Sequence, residues 1–514
     1  MNGAESLVKS LIASGVDTCF TNPGTSEMHF VAALDHVPGM RSVLALFEGV
    51  ATGAADGYWR MAGKPACTLL HLGPGLANGI ANLHNAKKAH SGVVNIVGEH
   101  AETHRKLDAP LMSDIEGLAR PVSHWVHSSL TAADVGADGA RAVAAAQEAP
   151  GRIATLILPS DTAWTEGASV HTAPAPAARP AVDPAMLNRA AEALHGSETL
   201  LLLGGAALTA ENLEKAGRIA AKTGCSLLSE WSNARLDRGA GRVIVNRVPY
   251  PIDMALQALR SFKQVVLLGA RAPIGFFAYP GKPAVLTRED AEIIELAGAG
   301  DDLSGALDGL VAALDAGDAS PKGMADRKLV PPPTGKTDAN TIAQALAATI
   351  PANAIVVDES ITTGRAFFPA TAGAEPHTWL NNCGGSIGYG LPLAIGCAVA
   401  CPDRKVLALV GDGSAMYTIQ SLWTMARENL DITILILANQ TYQILRGELT
   451  NVGVQNPGPR AIDMLSLDRP ALDFVAMARG MGVPAVRVDE AGALTQAIED
   501  ALAAGGTNLI EVVV

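Results

Sequence analysis

The chain has 514 residues, too many for one hydrophobic core, so we expect roughly two to four domains. Hydrophobic residues make up 48% of the chain and charged residues 17%, which excludes disorder and fits a soluble globular protein. The net charge of −13 gives no basic surface for nucleic acid, and no apolar run is long enough for a membrane span. The N-terminus lacks the residue order of a signal peptide, so we expect a cytoplasmic protein. Six scattered cysteines indicate neither a disulfide framework nor a zinc site.

The chain begins with an amphipathic helix over residues 2–15 and a short strand, Val16–Phe20. A turn over residues 21–27 follows, in which Thr25 or Ser26 would cap the next helix. Because this turn ends a predicted strand, it faces the edge where parallel sheets bind ligands.

Glu48 follows an apolar run, Ser42–Phe47, and precedes a helix of small residues, Gly49–Met61. The positive end of a helix dipole favours a carboxylate at such a position, and by itself that would be a sufficient explanation. A further strand, Ala66–Leu70, ends at His71, before a glycine-rich helix start. A single histidine at a strand end is by default a structural hydrogen-bonding group.

Two Pro- and Ala-rich stretches, Thr172–Pro184 and Ala319–Asp338, indicate linkers. They divide the chain into three predicted domains, at about 1–165, 185–318 and 338–514. The middle region alternates strands and helices, and its strand Thr199–Leu203 precedes Gly204-Gly205, as in nucleotide-binding domains. The G-x-G-x-x-G dinucleotide fingerprint is absent.

The third region places polar residues after each of its predicted strands. Strand Ile355–Val357 precedes Ser360 and Thr362, whose hydroxyls could hold a diphosphate. Strand Val406–Val410 precedes the sequence GDGS, a helical pattern from Met416 to Ala426, strand Ile432–Leu437 and the turn Asn439–Thr441.

Asp412 and Asn439 therefore lie at the ends of two neighbouring strands and offer hard oxygen ligands. Mg²⁺ binds such oxygens together with substrate phosphates, and a helix N-terminus suits a phosphate. A diphosphate held through Mg²⁺ is the direct interpretation. The alternative is an ordinary strand-turn-helix unit with a capping aspartate, because short motifs match by chance.

The stretch GDGSAMYTIQSLWTMAREN…ANQTY resembles the thiamine-diphosphate (ThDP) motif, in which GDG is followed by a pair of asparagines. Ala438 replaces the first asparagine, and Asn439 matches the second, which is the metal ligand in the family. The segment FEGVATGAADGYWR resembles the one that carries the activating glutamate of these enzymes, here Glu48. The chain thus resembles the 2-oxo-acid decarboxylase and acetolactate synthase superfamily, and benzoylformate decarboxylases most closely.

The resemblance assigns roles to individual residues. Gly385 would offer its carbonyl to the pyrimidine, and Ile387 would bend the cofactor into its V shape. His71 matches a histidine that takes part in proton transfer in benzoylformate decarboxylases, whereas acetolactate synthases carry another residue there. The metal ligands would be Asp412, Asn439 and the carbonyl of Thr441. The other implied cofactor-binding residues are Thr25, Ser360, Thr362, Gly411, Gly413, Ser414, Ala415 and Tyr442, and the implied substrate pocket comprises Thr25, Phe276, Ile444, Leu445 and Glu448.

Two departures from the family pattern concern substrate specificity. Glu99 stands where both families tend to have glutamine. The stretch Ile274–Tyr279 contains no histidine, although this domain supplies a second active-site histidine in benzoylformate decarboxylases.

The resemblance implies three α/β domains, each with a doubly wound, mostly parallel sheet: pyrimidine-binding, central and diphosphate-binding. It implies a homodimer or homotetramer, with Glu48 from one subunit and Asp412 from another at each site. It also implies ThDP- and Mg²⁺-dependent decarboxylation of a small 2-oxo acid, with or without a subsequent carboligation, and no FAD. The alternatives are acetolactate synthase, or a ThDP-binding protein without turnover, against which the presence of Glu48 argues.

Overall fold

The structure, a computed structural model, describes all residues, 1–514, and contains three sheets with helices packed against them. It is an α/β fold, as the alternation of strands and helices predicts. All strand pairs but one are parallel, so each sheet gathers its carboxyl strand ends along one edge.

The N-terminal sheet has six parallel strands in the order β2-β1-β3-β4-β6-β5. Its central strands are buried on both faces, which explains their predominantly apolar sequence. The strands are β1 Thr18–Asn22, β2 Arg41–Leu44, β3 Ala66–Leu70, β4 Val93–Glu99, β5 Trp125–Ser128 and β6 Ile153–Pro159; the helices are α1 Gly3–Ala13, α2 Met28–His36, α3 Glu48–Ala62, α4 Leu72–Lys88, α5 Glu102–Arg105, α6 Ile115–Ala119, α7 Ala132–Gln147 and α8 Ser160–Trp164. A 3₁₀ helix, Thr25–Glu27, precedes α2, and neither Thr25 nor Ser26 caps it through its side chain.

The central sheet has five parallel strands in the order β10-β8-β7-β11-β12, and the winding direction reverses between β7 and β11. The segment contains β7 Thr199–Leu203, β8 Ser226–Ser229, β9 Leu236–Arg238, β10 Asn246–Arg247, β11 Gln264–Leu268 and β12 Glu292–Ala297, with α9 Pro184–Ala193, α10 Ala210–Thr223, α11 Ile252–Leu259, α12 Leu303–Ala313 and a 3₁₀ helix at Gly205–Leu208.

The C-terminal sheet has seven strands in the order β17-β18-β16-β15-β13-β14-β9. Its edge strand β9 comes from the central segment and pairs antiparallel with β14. The elements are α13 Ala339–Thr349, β13 Ile355–Glu359, α14 Phe367–Ala370, β14 His377–Asn381, α15 Gly390–Ala400, β15 Val406–Gly411, α16 Asp412–Ala415, α17 Ser421–Arg427, β16 Ile432–Ala438, α18 Gln443–Asn451, α19 Pro459–Asp463, α20 Phe474–Gly480, β17 Ala485–Val488, α21 Ala491–Ala504 and β18 Thr507–Val513, with 3₁₀ helices at Thr363–Ala366 and Thr371–Gly373. The sheet thus takes a strand from outside the predicted range 338–514, and the domain ranges stay a prediction.

The prediction of a helix from Met416 to Ala426 is wrong for its first part, because a turn over residues 416–420 separates α16 from α17. In this turn the buried Thr418 donates its hydroxyl to the carbonyl of Gly388, 3.0 Å away. This tertiary hydrogen bond stabilises an interruption of the helix that the spacing of apolar residues does not predict.

Helices α3 and α15 join the N-terminal and C-terminal parts of the chain. A Cβ on Gly396 of α15 would overlap the carbonyl oxygen of Ala54 on α3, and one on Gly57 would overlap the carbonyl oxygen of Leu393. The two backbones therefore cross in direct contact, within one apolar core that both parts share. No helix has the length and apolarity that a bilayer crossing requires.

Candidate active site

His71 follows β3 directly and pairs with a carboxylate that follows β1. Its Nδ1 lies 2.8 Å from Oε2 of Glu27, which is 3% exposed. The same carboxylate accepts the backbone N–H of Gly24 at 2.8 Å and the hydroxyl of Ser26 at 2.8 Å. Since a carboxylate only accepts, Nδ1 carries the proton, and Nε2 makes no hydrogen bond within the chain. In this geometry the imidazole could transfer a proton through Nε2.

The backbone around His71 and Glu27 is tightly constrained. A Cβ on Gly24 would overlap the imidazole ring, so only glycine fits there. Leu72, directly after His71, has φ of 51°, a left-handed conformation that bulky residues rarely adopt. Such strain persists where the surrounding structure holds it, and it clusters at functional sites.

Glu48 begins α3 and is 8% exposed. Asn78 of α4 donates its side-chain N–H to Oε2 at 2.9 Å, and no cation of the chain lies within salt-bridge distance. A Cβ on Gly75 would stand 3.1 Å from Oε1, so glycine leaves space beside this oxygen. A buried carboxylate with one oxygen free can exchange a proton or a hydrogen bond with a ring nitrogen.

The ends of β15 and β16 meet at Asp412. Its carboxylate accepts the backbone N–H of Gly413 at 2.8 Å and of Gln440 at 2.6 Å, while Asn439 lies beside it on the second strand end. Burial raises the pKa of Asp412, and these N–H groups act in the opposite direction. Gln440 has φ of 54°, so the turn between Asn439 and Thr441 is strained.

The donor set at this turn fits Mg²⁺. Asp412 is 4% exposed and has no salt-bridge partner, and a buried carboxylate without a cation is costly. The side chain of Asn439 and the carbonyl of Thr441 add hard oxygens, which leaves room for phosphate oxygens and water. Nowhere do three or more His, Cys, Asp or Glu side chains converge to hold a metal alone.

The expected diphosphate-binding residues surround this turn. Gly411, Gly413, Ser414 and Ala415 span the end of β15 and α16, and a Cβ on Gly413 would overlap the ring of Tyr442. Ser360 instead donates its hydroxyl to Asp358, whereas the hydroxyls of Thr362 and Ser414 have no partner in the chain. Ile361 between them has φ of 49°.

Gly385 and Ile387 lie on the loop between β14 and α15. Gly385 has φ of 79°, and its N–H is donated to the side-chain oxygen of Asn382 at 2.7 Å. Asn85 of α4 holds the next residue, Ser386, through both its N–H at 3.0 Å and its carbonyl at 2.8 Å. The expected pyrimidine-binding loop is therefore fixed from two sides.

The expected pocket residues Phe276 and Glu448 belong to one wall. Phe276 packs edge-to-face against Trp231 and Phe277, and its Cζ would be 2.7 Å from a Cβ on Gly385. Tyr279 donates its hydroxyl to Glu448 at 2.7 Å and so ties the aromatic loop to α18. On α18 itself, Ile444 is half-buried and Leu445 is 44% exposed. The wall is aromatic and apolar, with one carboxylate.

A cavity of about 1090 Å³ lies at the carboxyl ends of the central strands, at the point between β7 and β11 where the winding direction reverses. Glu230, which follows β8, lines this cavity. Its Oε2 would be 2.9 Å from a Cβ on Gly204, and burial raises its pKa. A carboxyl group thus occupies the turn at which the diphosphate of a dinucleotide would lie.

The expected site residues form two groups within the chain. Thr25, Glu48 and His71 lie along the N-terminal sheet, and the others lie on the C-terminal sheet or the aromatic loop. No hydrogen bond or ion pair joins a member of one group directly to a member of the other. The partners Glu27, Asn78 and Asn85 were missed, because a polar residue near a strand end or on a helix does not reveal its partner.

Comparison with known proteins follows the same division of the chain. Residues 1–125 match the model of the thiamine pyrophosphate enzyme N-terminal TPP binding domain, and residues 364–512 match that of the C-terminal TPP binding domain. Benzoylformate decarboxylase of Pseudomonas aeruginosa is 31% identical over 97% of this chain and 96% of its own length. The chain belongs to the thiamine pyrophosphate enzyme family.

Two further members of this family bear on the activity. A Mycobacterium tuberculosis protein named as a candidate acetolactate synthase large subunit, IlvX, is 50% identical over 100% of this chain and 99% of its own length. The ThDP-dependent 4-hydroxybenzoylformate decarboxylase of Rhodococcus jostii RHA1 superposes with a TM-score of 0.85 at 25% identity, covering 100% of this chain and 99% of that one. Both decarboxylases and synthases of the family therefore resemble this chain throughout.

Proposed function

We propose that this protein is a ThDP- and Mg²⁺-dependent enzyme that removes CO₂ without oxidation from a 2-oxo acid and releases an aldehyde. The observation that carries this proposal is the pairing of His71 with the buried Glu27 at the end of β3. An oriented imidazole supplies the proton transfer that aldehyde formation requires.

The residues present divide the work. Asp412, Asn439 and the carbonyl of Thr441 would hold Mg²⁺ and, through it, the diphosphate. Glu48 would hydrogen-bond the pyrimidine and favour its imino form, while Gly385 and Ile387 would orient the cofactor. Bound ThDP supplies the carbon nucleophile that attacks the 2-oxo carbonyl and the electron sink for decarboxylation. His71 would move the proton that completes the product.

The apolar wall around Phe276 favours loss of CO₂, because a charged group leaves a site where burial of charge is costly. It also supports an aryl or bulky apolar side chain on the 2-oxo acid. Carboligation would follow where a second carbonyl compound competes with the proton for the same carbon.

Acetolactate synthase is the second candidate, and the 50%-identical relative that carries this name favours it. His71 argues for the decarboxylase. The carboxyl group of Glu230 at the central turn argues against FAD, which has a diphosphate. An absorption spectrum of the purified protein separates the two: flavin bands would favour the synthase, and a colourless protein the decarboxylase.

We also propose that each active site is shared between two copies of the chain, in a homodimer or homotetramer. This would bring Glu48 and His71 of one copy to the metal turn of the other. The absence of a direct hydrogen bond or ion pair between the two residue groups within one chain supports it.

The deciding experiment measures CO₂ release with ThDP and Mg²⁺ across a panel of 2-oxo acids, with the products identified. Benzaldehyde from benzoylformate would support the decarboxylase, and acetolactate from pyruvate the synthase. Glu48→Gln should abolish CO₂ release while ThDP binding largely survives. Full activity in that variant would refute the mechanism, and no CO₂ from any acid with the wild type would leave a ThDP-binding protein without turnover.

A further inference from the structure

A buried carboxylate holds the far end of the loop that carries Gly385 and Ile387. Glu359, the last residue of β13, is 1% exposed. Its Oε1 accepts the N–H of Gly388 at 2.7 Å and of Tyr389 at 3.3 Å, and its Oε2 accepts that of Gly390 at 2.8 Å. Three consecutive backbone donors thus converge on one side chain.

No cation compensates this charge, because Glu359 forms no ion pair. A buried carboxylate without a cation costs stability even when it is hydrogen-bonded. If its only role were to accept these backbone N–H groups, a neutral residue at this position would make the protein more stable. The arrangement is also tight, since a Cβ on Gly390 would stand 2.8 Å from Oε2. The energetic cost and the close fit together indicate that the carboxylate holds this loop in a defined position.

The contacts bracket one residue. Asn85 holds the N–H and the carbonyl of Ser386, and Glu359 holds the N–H of Gly388, so Ile387 lies between two anchored residues. Gly388 has φ of 92°, and its carbonyl accepts the hydroxyl of Thr418 at 3.0 Å. The backbone of Ile387 therefore has few ways to move while these bonds persist.

We propose that Glu359 is a positioning residue for the cofactor: through Gly388 and Gly390 it sets the place of Ile387, and hence the bend of bound ThDP. This inference rests on the proposed function, because it takes Ile387 as the residue that bends the cofactor. Both carboxylate oxygens of Glu359 are occupied by backbone N–H groups, so it would act through the loop and not on the cofactor directly.

Glu359→Gln tests the proposal, because the amide keeps the shape but can accept at only one of its two ends. At least one anchored N–H then loses its acceptor, and the loop shifts. A displacement of about 1 Å costs about 10²-fold in rate at such a site. We expect kcat at saturating ThDP to fall by about this factor, with the KM of the 2-oxo acid nearly unchanged. The matched control is Glu511→Gln, which alters a carboxylate in the same sheet, 3% exposed and bound to Arg487 away from the loop.

Two readouts do not depend on turnover: the affinity of the protein for ThDP with Mg²⁺, and the near-ultraviolet circular dichroism of the bound aminopyrimidine. In Glu359→Gln we expect the dichroism to change while the melting temperature stays equal or rises. A purely structural role predicts instead that stability and activity fall together. Unchanged dichroism and kcat in the folded variant would overturn the proposal.

Gly390→Ala serves if Glu359→Gln does not fold, because it keeps the carboxylate and the N–H but forces them apart. It should produce the same change in dichroism, and a wild-type signal there would also overturn the proposal. If the wild-type protein binds ThDP yet releases no CO₂, the proposed function fails, and the dichroism still decides the role of Glu359.

Discussion

Glu27 offers the sharpest test of the proton-transfer step, because it orients His71 without reaching the metal turn. In Glu27→Gln the amide oxygen can still accept from Nδ1 of His71 and from Gly24, while the amide nitrogen can donate to Ser26. The tautomer survives, but the hydrogen bond loses its charge. A charged hydrogen bond contributes about 1.5–3 kcal/mol and a neutral one about 0.5–1.5 kcal/mol. The difference between these ranges, about 1–1.5 kcal/mol, corresponds to roughly tenfold in rate.

Glu27→Leu removes both carboxylate oxygens, so no acceptor defines the tautomer of His71. The rate of aldehyde release should then fall by nearly the whole contribution of general acid catalysis, about 10²–10⁴-fold. The assay is kcat for aldehyde release, with ThDP affinity measured alongside. Asp138→Asn is the matched control: it alters a carboxylate of α7 that is 2% exposed and bonds Ser129 and Arg141 rather than His71. Equal rates for both Glu27 variants and wild type would show that this carboxylate does not act through His71.

Three further outcomes are expected. Asp412→Asn, or a chelator on the wild type, should remove the thermal stabilisation that saturating ThDP with Mg²⁺ provides, about 3 kcal/mol at a hundredfold excess over Kd; persistence of that shift would argue against this metal site. Gly396→Ala should cost about 1–3 kcal/mol in urea unfolding because it forces α3 and α15 apart, whereas Gly492→Ala, on an open helix face, should not. Burial raises the pKa of Glu359 to about 7, so the protonated carboxyl contributes about 3 kcal/mol to the free energy of unfolding. This contribution is complete below the unfolded pKa near 4.5 and is lost as pH rises to 7. Glu359→Gln should remove this pH dependence of the free energy of unfolding.

The metal motif around Asp412 and Asn439 shows which structural features the local sequence can predict. Periodicity placed β15 and β16 within one residue of their observed ends and put Asp412 and Asn439 at one sheet edge. It did not reveal the break before α17, which depends on the bond from Thr418 to Gly388, 30 residues away. Nor did it reveal that Ser360, expected at the diphosphate, gives its hydroxyl to Asp358.

The sequence by itself determined the α/β class, most strand positions and the family, because apolar periodicity and short motifs are local properties of the chain. Only the tertiary structure decided which polar groups meet. Glu27 and His71 are 44 residues apart and come together because β1 and β3 are neighbours in the sheet. The antiparallel edge strand β9 likewise belongs to the C-terminal sheet only through its pairing with β14. Such pairings depend on sheet order and packing, which no stretch of sequence encodes alone.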